Sequence, residues 1–169
     1  GAKISDKLPV IRHLLSKVDR VIVGGGVANT FLASQGVDVR GSIVEEDYID
    51  RAGEMLKNSK GKIILPVDYV WGSDSPTDSI LPRAESRGDK IFDVGARSTA
   101  QSIQYIKSAK TILWSGVPGK IEQPPFDKAS IVIAKAIADS PATSIVGGGD
   151  TVGLIDGLGL NHKYAFVST

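Results

Sequence analysis

The chain has 169 residues, enough for one domain with a substantial buried core. Hydrophobic residues make up 41% of it, charged residues 23%, and the formal net charge of +1 gives no strong field to recruit nucleic acid or an anionic membrane surface. The absence of cysteine excludes disulfides and thiolate metal sites, and it fits a cytoplasmic protein. No apolar stretch approaches ~20 residues, so we expect no membrane partner.

Both ends of the sequence look like cuts through a longer protein. The chain opens on Gly1 with no preceding strand, and an apolar run at residues 164–167 reaches almost to the last residue. Natural domains usually carry a few disposable polar residues at their termini. We therefore expect residues 1–169 to form a single, monomeric domain that is truncated at both ends.

Short apolar runs alternate with helical patterns along the whole chain. The runs consist mostly of consecutive Val and Ile, which is typical of strands buried on both faces. A helix is predicted to start near Ser5, with Pro9 in its first turn. The other predicted helices cover 27–34, 45–57, 98–108, 128–139 and 151–158, and the predicted strands cover 20–23, 62–67, 90–94, 111–114, 144–146 and 164–167.

This alternation predicts an α/β fold. We expect a three-layer, doubly wound (Rossmann-like) and mainly parallel sheet of about six strands. The polar segment 68–89 is compatible with either a loop or a small hairpin. In doubly wound sheets, ligands bind outside the carboxyl ends of the strands.

The sequence Ile-Val-Gly-Gly-Gly occurs twice, at residues 22–26 and 145–149. Each copy closes a predicted strand and opens a predicted helix. Glycine-rich turns at helix starts allow backbone N–H groups to hold a phosphate-bearing ligand. The alternative at either position is a tight strand-to-helix turn with no ligand.

The residues after the two glycine triplets differ. Asn29 stands where the dinucleotide fingerprint has a third Gly or Ala, so a nicotinamide-binding domain is disfavoured. After the second triplet, Asp150 suits Mg²⁺, which takes one or two carboxylates together with phosphate oxygens. The equal alternative is that Asp150 is the N-cap of the following helix.

Other polar residues are compatible with an anionic ligand. Lys3 and Lys7 are four residues apart and would share one face of a helix, where an anion between them would relieve their repulsion. A solvated surface is the simpler explanation for this pair. Glu122 follows a turn-rich stretch and is able to accept hydrogen bonds from ribose hydroxyls, although many surface glutamates have the same surroundings in sequence.

Taken in order, these segments resemble the carboxyl-terminal, nucleotide-binding half of phosphoglycerate kinase. The resemblance covers essentially the whole chain, and its strength lies in the order and spacing of the motifs rather than in any one of them. The motifs are GAKISDK at 1–7, IVGGGVANTFL at 22–32, LPVD at 65–68, DVG at 93–95, WSG at 114–116, GGGDT at 147–151 and VST at 167–169.

The resemblance implies a protein that transfers a phosphoryl group between 1,3-bisphosphoglycerate and ADP, with Mg²⁺. The acid, 3-phosphoglycerate or its bisphosphate, would bind in a separate amino-terminal lobe, and this half would bind ADP or ATP. Lys3 would be catalytic, neutralising the moving phosphoryl group, and Asp150 would bind the metal. The nucleotide would contact Lys7, Gly24, Gly25, Gly26, Ser115, Glu122, Gly148, Gly149 and Thr151.

The chain departs from the family pattern at three places. Ser115 replaces an asparagine and the proline of the next turn comes one place later, Lys120 replaces a valine, and Phe166 stands where histidine is usual. The changes between residues 115 and 120 favour, as an alternative, a non-catalytic module on the same fold that binds a nucleotide or a protein partner.

Overall fold

A computed structural model describes residues 3–74 and 89–168, in which helices and strands alternate as the sequence predicts. The helices of this part are α1 (Ile4–Leu15), α2 (Gly25–Ser34), α3 (Ile49–Asn58), α4 (Ala96–Ser108), α5 (Lys128–Ala138) and α6 (Gly149–Gly157). The strands are β1 (Val21–Ile22), β2 (Ile63–Ile64), β3 (Tyr69–Gly72), β4 (Lys90–Val94), β5 (Thr111–Ser115), β6 (Thr143–Gly147) and β7 (Phe166–Ser168). Two short 3₁₀ turns cover Glu46–Tyr48 and Asn161–Lys163.

The strands form three hydrogen-bonded groups. β1 pairs in parallel with β2, and β5, β6 and β7 are parallel in that order. β3 and β4 form an antiparallel pair. Parallel strands joined through helices confirm the predicted α/β class.

The predicted strand inventory needs one correction. The described residues contain seven strands rather than about six, because β3 lies in the segment that was predicted as a loop or a hairpin. β3 pairs with β4, so this part of the segment is a hairpin arm. A four-residue strand flanked by polar residues carries too little periodicity to be recognised from sequence. Residues 75–88 of the same segment lie outside the described residues.

Four helices begin earlier than predicted, among them α4, which begins at Ala96 rather than at Ser98. α1 begins at Ile4, which places Pro9 in its second turn, where the missing N–H leaves the carbonyl of Ser5 without its usual donor. α2 and α6 each begin two residues early, within the glycine triplets. Glycine has low helix propensity, but the N–H groups of a first turn have no partner inside the helix in any case.

Two apolar clusters form the core. The first joins α1, α2 and α3 to β1 and β2 and is centred on Phe31 and Ile4, both with no exposed surface. The second joins α4, α5 and α6 to β5 and β6 through Trp114 and Val146. None of the helices in the described part of the chain is long and apolar enough to span a membrane.

One face of the β5–β6–β7 group is open to solvent. Leu113, Ile145 and Phe166 are register partners across the three strands, and Leu113 and Phe166 are 53% and 64% exposed. The predicted burial of these strands on both faces is therefore wrong for this row. Side chains alternate along a strand, and Trp114 and Val146 point to the opposite face, which the three helices of the second cluster cover.

Carboxylates that are distant in sequence hold the first turns of three helices. Glu45 accepts hydrogen bonds from the backbone N–H and the hydroxyl of Ser5 in α1, at 2.8 and 2.7 Å. The buried carboxylate of Asp93 accepts from the N–H of Ala129 in α5, at 3.1 Å. These bonds satisfy N–H groups that have no partner within their own helix.

Asp68 holds the first turn of α4 by accepting hydrogen bonds in the same way. Its carboxylate accepts the N–H groups of Arg97 and Ser98 at 2.9 and 2.8 Å, and the Ser98 hydroxyl at 2.5 Å. Burial opposes ionisation of Asp68, but the hydrogen bonds from Ser98 and Arg97 outweigh it, so the pKa of this carboxyl lies below its usual value.

Asp68→Asn is expected to lower the free energy of unfolding by about 1 kcal/mol, because an amide cannot accept at both of its polar atoms. Since the folded-state pKa is depressed, the stabilisation is present above the unfolded-state pKa and is lost as the pH falls through the folded-state value. Urea unfolding at pH 7 and at pH 3 measures both effects. An unchanged midpoint at pH 7 would contradict the capping role.

Candidate functional site

The two helices that follow the glycine triplets begin without a capping side chain. Gly24 is the N-cap of α2 and Gly148 is the N-cap of α6, and no side chain in the described ranges accepts a hydrogen bond from either first turn. α3 differs from both, because it continues from a 3₁₀ turn and the carbonyl of Glu46 accepts the N–H of Ile49. The open N–H groups of α2 and α6 form a region of positive potential.

Backbone geometry explains why glycine stands at these starts. Gly25 has φ 62° and Gly148 has φ 94°, both in the left-handed region that side chains disfavour. Gly148, Gly149 and Asp150 are exposed, whereas the first triplet is half-buried. The second triplet is therefore the more accessible of the two.

The turn at residues 116–120, directly after β5, links the two triplets. A methyl group on Gly24 would lie only 2.8 Å from Cβ of Pro118, so this turn packs against the start of α2. At its other end, the N–H of Gly116 donates to Oγ1 of Thr151 at 2.8 Å. The carboxyl ends of β1, β5 and β6 consequently meet at one edge of the domain.

Ser115 and Thr151 have different positions at this edge. Ser115 is exposed, and its Oγ lies 3.5 Å from where a Cβ on Gly148 would be. The side chain of Thr151 has no exposed surface, and its hydroxyl oxygen accepts the hydrogen bond from Gly116. Thr151 thus ties α6 to the turn from inside the domain.

Asp150 is not the N-cap of α6. The cap position belongs to Gly148, and Asp150 lies exposed in the first turn without a capping hydrogen bond. The described residues contain no group of three or more carboxylates or histidines able to hold a metal. A lone carboxylate is compatible with Mg²⁺, because that ion keeps waters and uses phosphate oxygens as its remaining ligands.

Lys3 and Lys7 lie at the start of α1, beside the helix that carries the first triplet. Lys3 is exposed and Lys7 is half-buried, and neither ammonium forms an ion pair with a carboxylate of the described residues. Glu45 connects this start to α2, because its own N–H donates to the Thr30 hydroxyl at 3.2 Å. The hydrogen bonds from the Ser5 side chain and backbone, with a smaller effect of the Lys3 charge, lower the pKa of Glu45.

Glu122 is exposed and has no hydrogen-bond partner among the described residues. The neighbouring substitution, Lys120, is engaged elsewhere. Its ammonium lies 3.4 Å from a carboxylate oxygen of Asp74 and 4.5 Å from the centre of the Phe92 ring. Within the described residues, the ammonium of Lys120 is thus paired with Asp74 and not with Glu122.

The sequence does not indicate the contacts that Glu45, Pro118 and Asp93 make at this edge. Glu45 bonds to Ser5, Pro118 packs on Gly24 and Asp93 bonds to Ala129, all across more than 25 positions, and neither spacing nor residue type signals such contacts. A groove of about 570 Å³ between α1 and α3, lined in part by Arg12 and Arg51, contains none of the predicted site residues.

The fold and this edge define a doubly wound α/β protein whose glycine-started helices face one side. The family model for phosphoglycerate kinase matches residues 1–169, and the chain belongs to that family.

Relatives agree along the full length of the chain. It is 41% identical over 175 residues to a phosphoglycerate kinase of Clostridium botulinum, and 39% identical over 176 residues to one of Herpetosiphon aurantiacus. The chain spans 44% and 45% of these proteins. Among solved structures, the phosphoglycerate kinases of Coxiella burnetii (36% identity, TM-score 0.92) and Pyrococcus horikoshii (30% identity, TM-score 0.83) align with all of this chain. The aligned region is 45% of each of those two chains.

Thr151→Val is expected to lower the free energy of unfolding by about 1–2 kcal/mol, because it keeps the volume but leaves the N–H of Gly116 unpaired. Hydrogen exchange of the Gly116 amide, measured by NMR, is expected to become faster in this variant. Thr151→Ser is the matched control, since it keeps the acceptor and should keep the amide protected. Equal exchange in the two variants would contradict the assignment.

Proposed function

We propose that this chain is the nucleotide-binding half of a phosphoglycerate kinase. The whole enzyme would transfer a phosphoryl group between 1,3-bisphosphoglycerate and ADP in glycolysis. The half described here would hold ADP or ATP with Mg²⁺, and a second lobe would hold the three-carbon acid. The observation that carries the proposal is that α2 and α6, the two helices after the triplets, have uncapped starts at one edge.

The two triplets would have different tasks. Gly24, Gly25 and Gly26 are half-buried, and Gly24 packs beside Pro118, which suits close approach of a flat adenine ring. Gly148 and Gly149 are exposed at the start of α6, which suits the phosphates, because the N–H groups there point outward along the helix axis. Ser115, whose hydroxyl lies beside Gly148, would contact the same phosphates. Thr151 would act from inside, holding α6 against the turn.

Glu122 would accept hydrogen bonds from the ribose hydroxyls. Asp150 would be the protein's ligand to Mg²⁺, and the bound ion would offset the negative charge of the nucleotide phosphates.

The lysines at the start of α1 would supply the remaining positive charge. Lys7 would hold the nucleotide phosphates, and Lys3 would neutralise the phosphoryl group during transfer. Phosphoryl transfer depends mainly on positioning and charge stabilisation. Both carboxylate oxygens of Glu45 accept hydrogen bonds from Ser5, and among the described residues Glu45 forms no ion pair with Lys3.

Calorimetric titration of the 169-residue chain with ADP, with and without Mg²⁺, tests the site. Asp150→Asn is expected to weaken Mg-ADP binding about tenfold, because a charged ligand to the ion is lost. The same change should have little effect on ADP alone. Asp156→Asn is the control, since Asp156 lies in the last turn of the same helix and bonds to Asn161. No heat with millimolar Mg-ADP would refute the proposal.

The chain by itself is expected to show negligible phosphoglycerate kinase turnover, although it binds nucleotide. Transfer requires both substrates to be held in one geometry, and this contributes several orders of magnitude to the rate. A coupled assay with 3-phosphoglycerate and Mg-ATP measures it. Substantial turnover by the chain would contradict the division of the substrates between two lobes.

A further inference from the structure

Asp93, at the carboxyl end of β4, is buried, with 2% of its surface exposed. One carboxylate oxygen accepts the N–H of Val94 at 2.8 Å, and the other accepts the N–H of Ala129 at 3.1 Å. The side chain therefore fixes the start of α5 against β4. A carboxylate can accept at both oxygens, whereas an amide of the same size can accept at only one.

The same carboxylate supports the turn at residues 116–120. A methyl group on Gly119 would lie 2.5 Å from Oδ1 of Asp93 and would also overlap the carbonyl oxygen of Phe126. Directly after this contact, the N–H of Lys120 donates to the carbonyl of Phe92 at 2.8 Å. Asp93 thus packs against the turn at Gly119, and Phe92, its neighbour on β4, accepts a hydrogen bond from the turn at Lys120.

The front of the turn contacts the first triplet. Pro118 packs so closely on Gly24 that a methyl group there would lie 2.8 Å from its Cβ. Pro118 is also the residue directly before Gly119, which packs on Asp93. A displacement of the turn by even a few tenths of an ångström must therefore open or close the gap to α2, because close-packed interiors transmit strain.

We propose that Asp93 is a positioning residue for the nucleotide site, which sets the distance between the 116–120 turn and the first glycine triplet by holding the turn and the start of α5 to β4. This inference rests on the proposed function. Asp93 has no surface with which to touch a ligand, so it acts only through the turn.

If Asp93 has this role, nucleotide binding should depend on whether its carboxyl group is ionised. Burial raises the pKa of Asp93 to about 6, the hydrogen bonds from Ala129 and Val94 oppose the rise, and the nearby charge of Asp127 adds to it. The elements packed against β4 carry few other titratable groups: Tyr69 on β3, Lys120 on the turn, and Lys128 and Lys135 on α5, whose N-cap is Asp127, with none on α2. Wild-type protein near pH 5 therefore has a mostly neutral carboxyl here and resembles Asp93→Asn.

Titration of the 169-residue chain with Mg-ADP at pH 7.5 and pH 5 tests the inference. At pH 7.5, Asp93→Asn is expected to bind about tenfold more weakly than wild type, because one of the two backbone N–H groups loses its acceptor. At pH 5 the ratio of the two dissociation constants should fall to about twofold or less. The nucleotide's own protonation cancels in this ratio. Asp68→Asn, which alters a helix cap away from the turn, should give a ratio near one at both pH values.

A ratio near one at pH 7.5, or a large ratio that does not change with pH, would overturn the role of Asp93 and leave the proposed function intact. No binding by wild-type protein would refute both. If circular dichroism shows that Asp93→Asn is unfolded, Gly119→Ala replaces it, since the added methyl group would overlap Asp93 and the backbone of Phe126 and so force the turn out of its position. Gly119→Ala should also weaken binding, and wild-type affinity in that variant would overturn the inference.

Discussion

The structure depends on how the first turns of its helices find hydrogen-bond acceptors. Each α-helix begins with backbone N–H groups that no carbonyl of the same helix can reach. In this chain the starts of α1, α4 and α5 are held by Glu45, Asp68 and Asp93, each more than 25 residues away from the helix it serves. α2 and α6 begin at glycines, and no side chain of the described residues caps their first turns. This division stabilises one set of helices and leaves the other set able to bind an anion.

The carboxylates also fix the shape of the edge at which the free helix starts lie. Asp93 supports the turn that packs on Gly24, and Glu45 connects the start of α1, with its two lysines, to Thr30 of α2. The same carboxylates that cap α1 and α5 therefore also position the edge at which α2 and α6 begin. The open N–H groups of α2 and α6 lie at this edge, and the start of α1, which packs against α2, carries Lys3 and Lys7.

The sequence predicts the parts of this arrangement that arise from local patterns. Runs of Val and Ile predict the strands, and glycine triplets at strand ends locate the two helix starts, since both signals lie within a few neighbouring residues. The exposed positions of Asp150 and Glu122 agree with roles at a surface site, and no observation yet tests those roles.

Contacts over long sequence distances could not be predicted. Nothing in the sequence pairs Asp93 with Gly119 or Glu45 with Ser5, because an isolated carboxylate looks the same whether it is solvated or caps a remote helix. The link between Thr151 and Gly116 could not be predicted either, because the two residues are 35 positions apart, and the role of Thr151 beside the nucleotide stays a prediction. The short strand β3 and the open apolar row beside Leu113 depend on tertiary pairing, which overrides local preference.

An NMR titration of the ¹⁵N-labelled chain with Mg-ADP shows whether the nucleotide binds at the uncapped helix starts. Amide signals from the first turns of α2 and α6 should shift in a saturable manner, because those N–H groups are free to meet the ligand. The amides of Ser98 and Ala129, already bonded to carboxylates, should move little. Shifts confined to the capped helices, or no saturable shift at either glycine-started helix, would contradict the account.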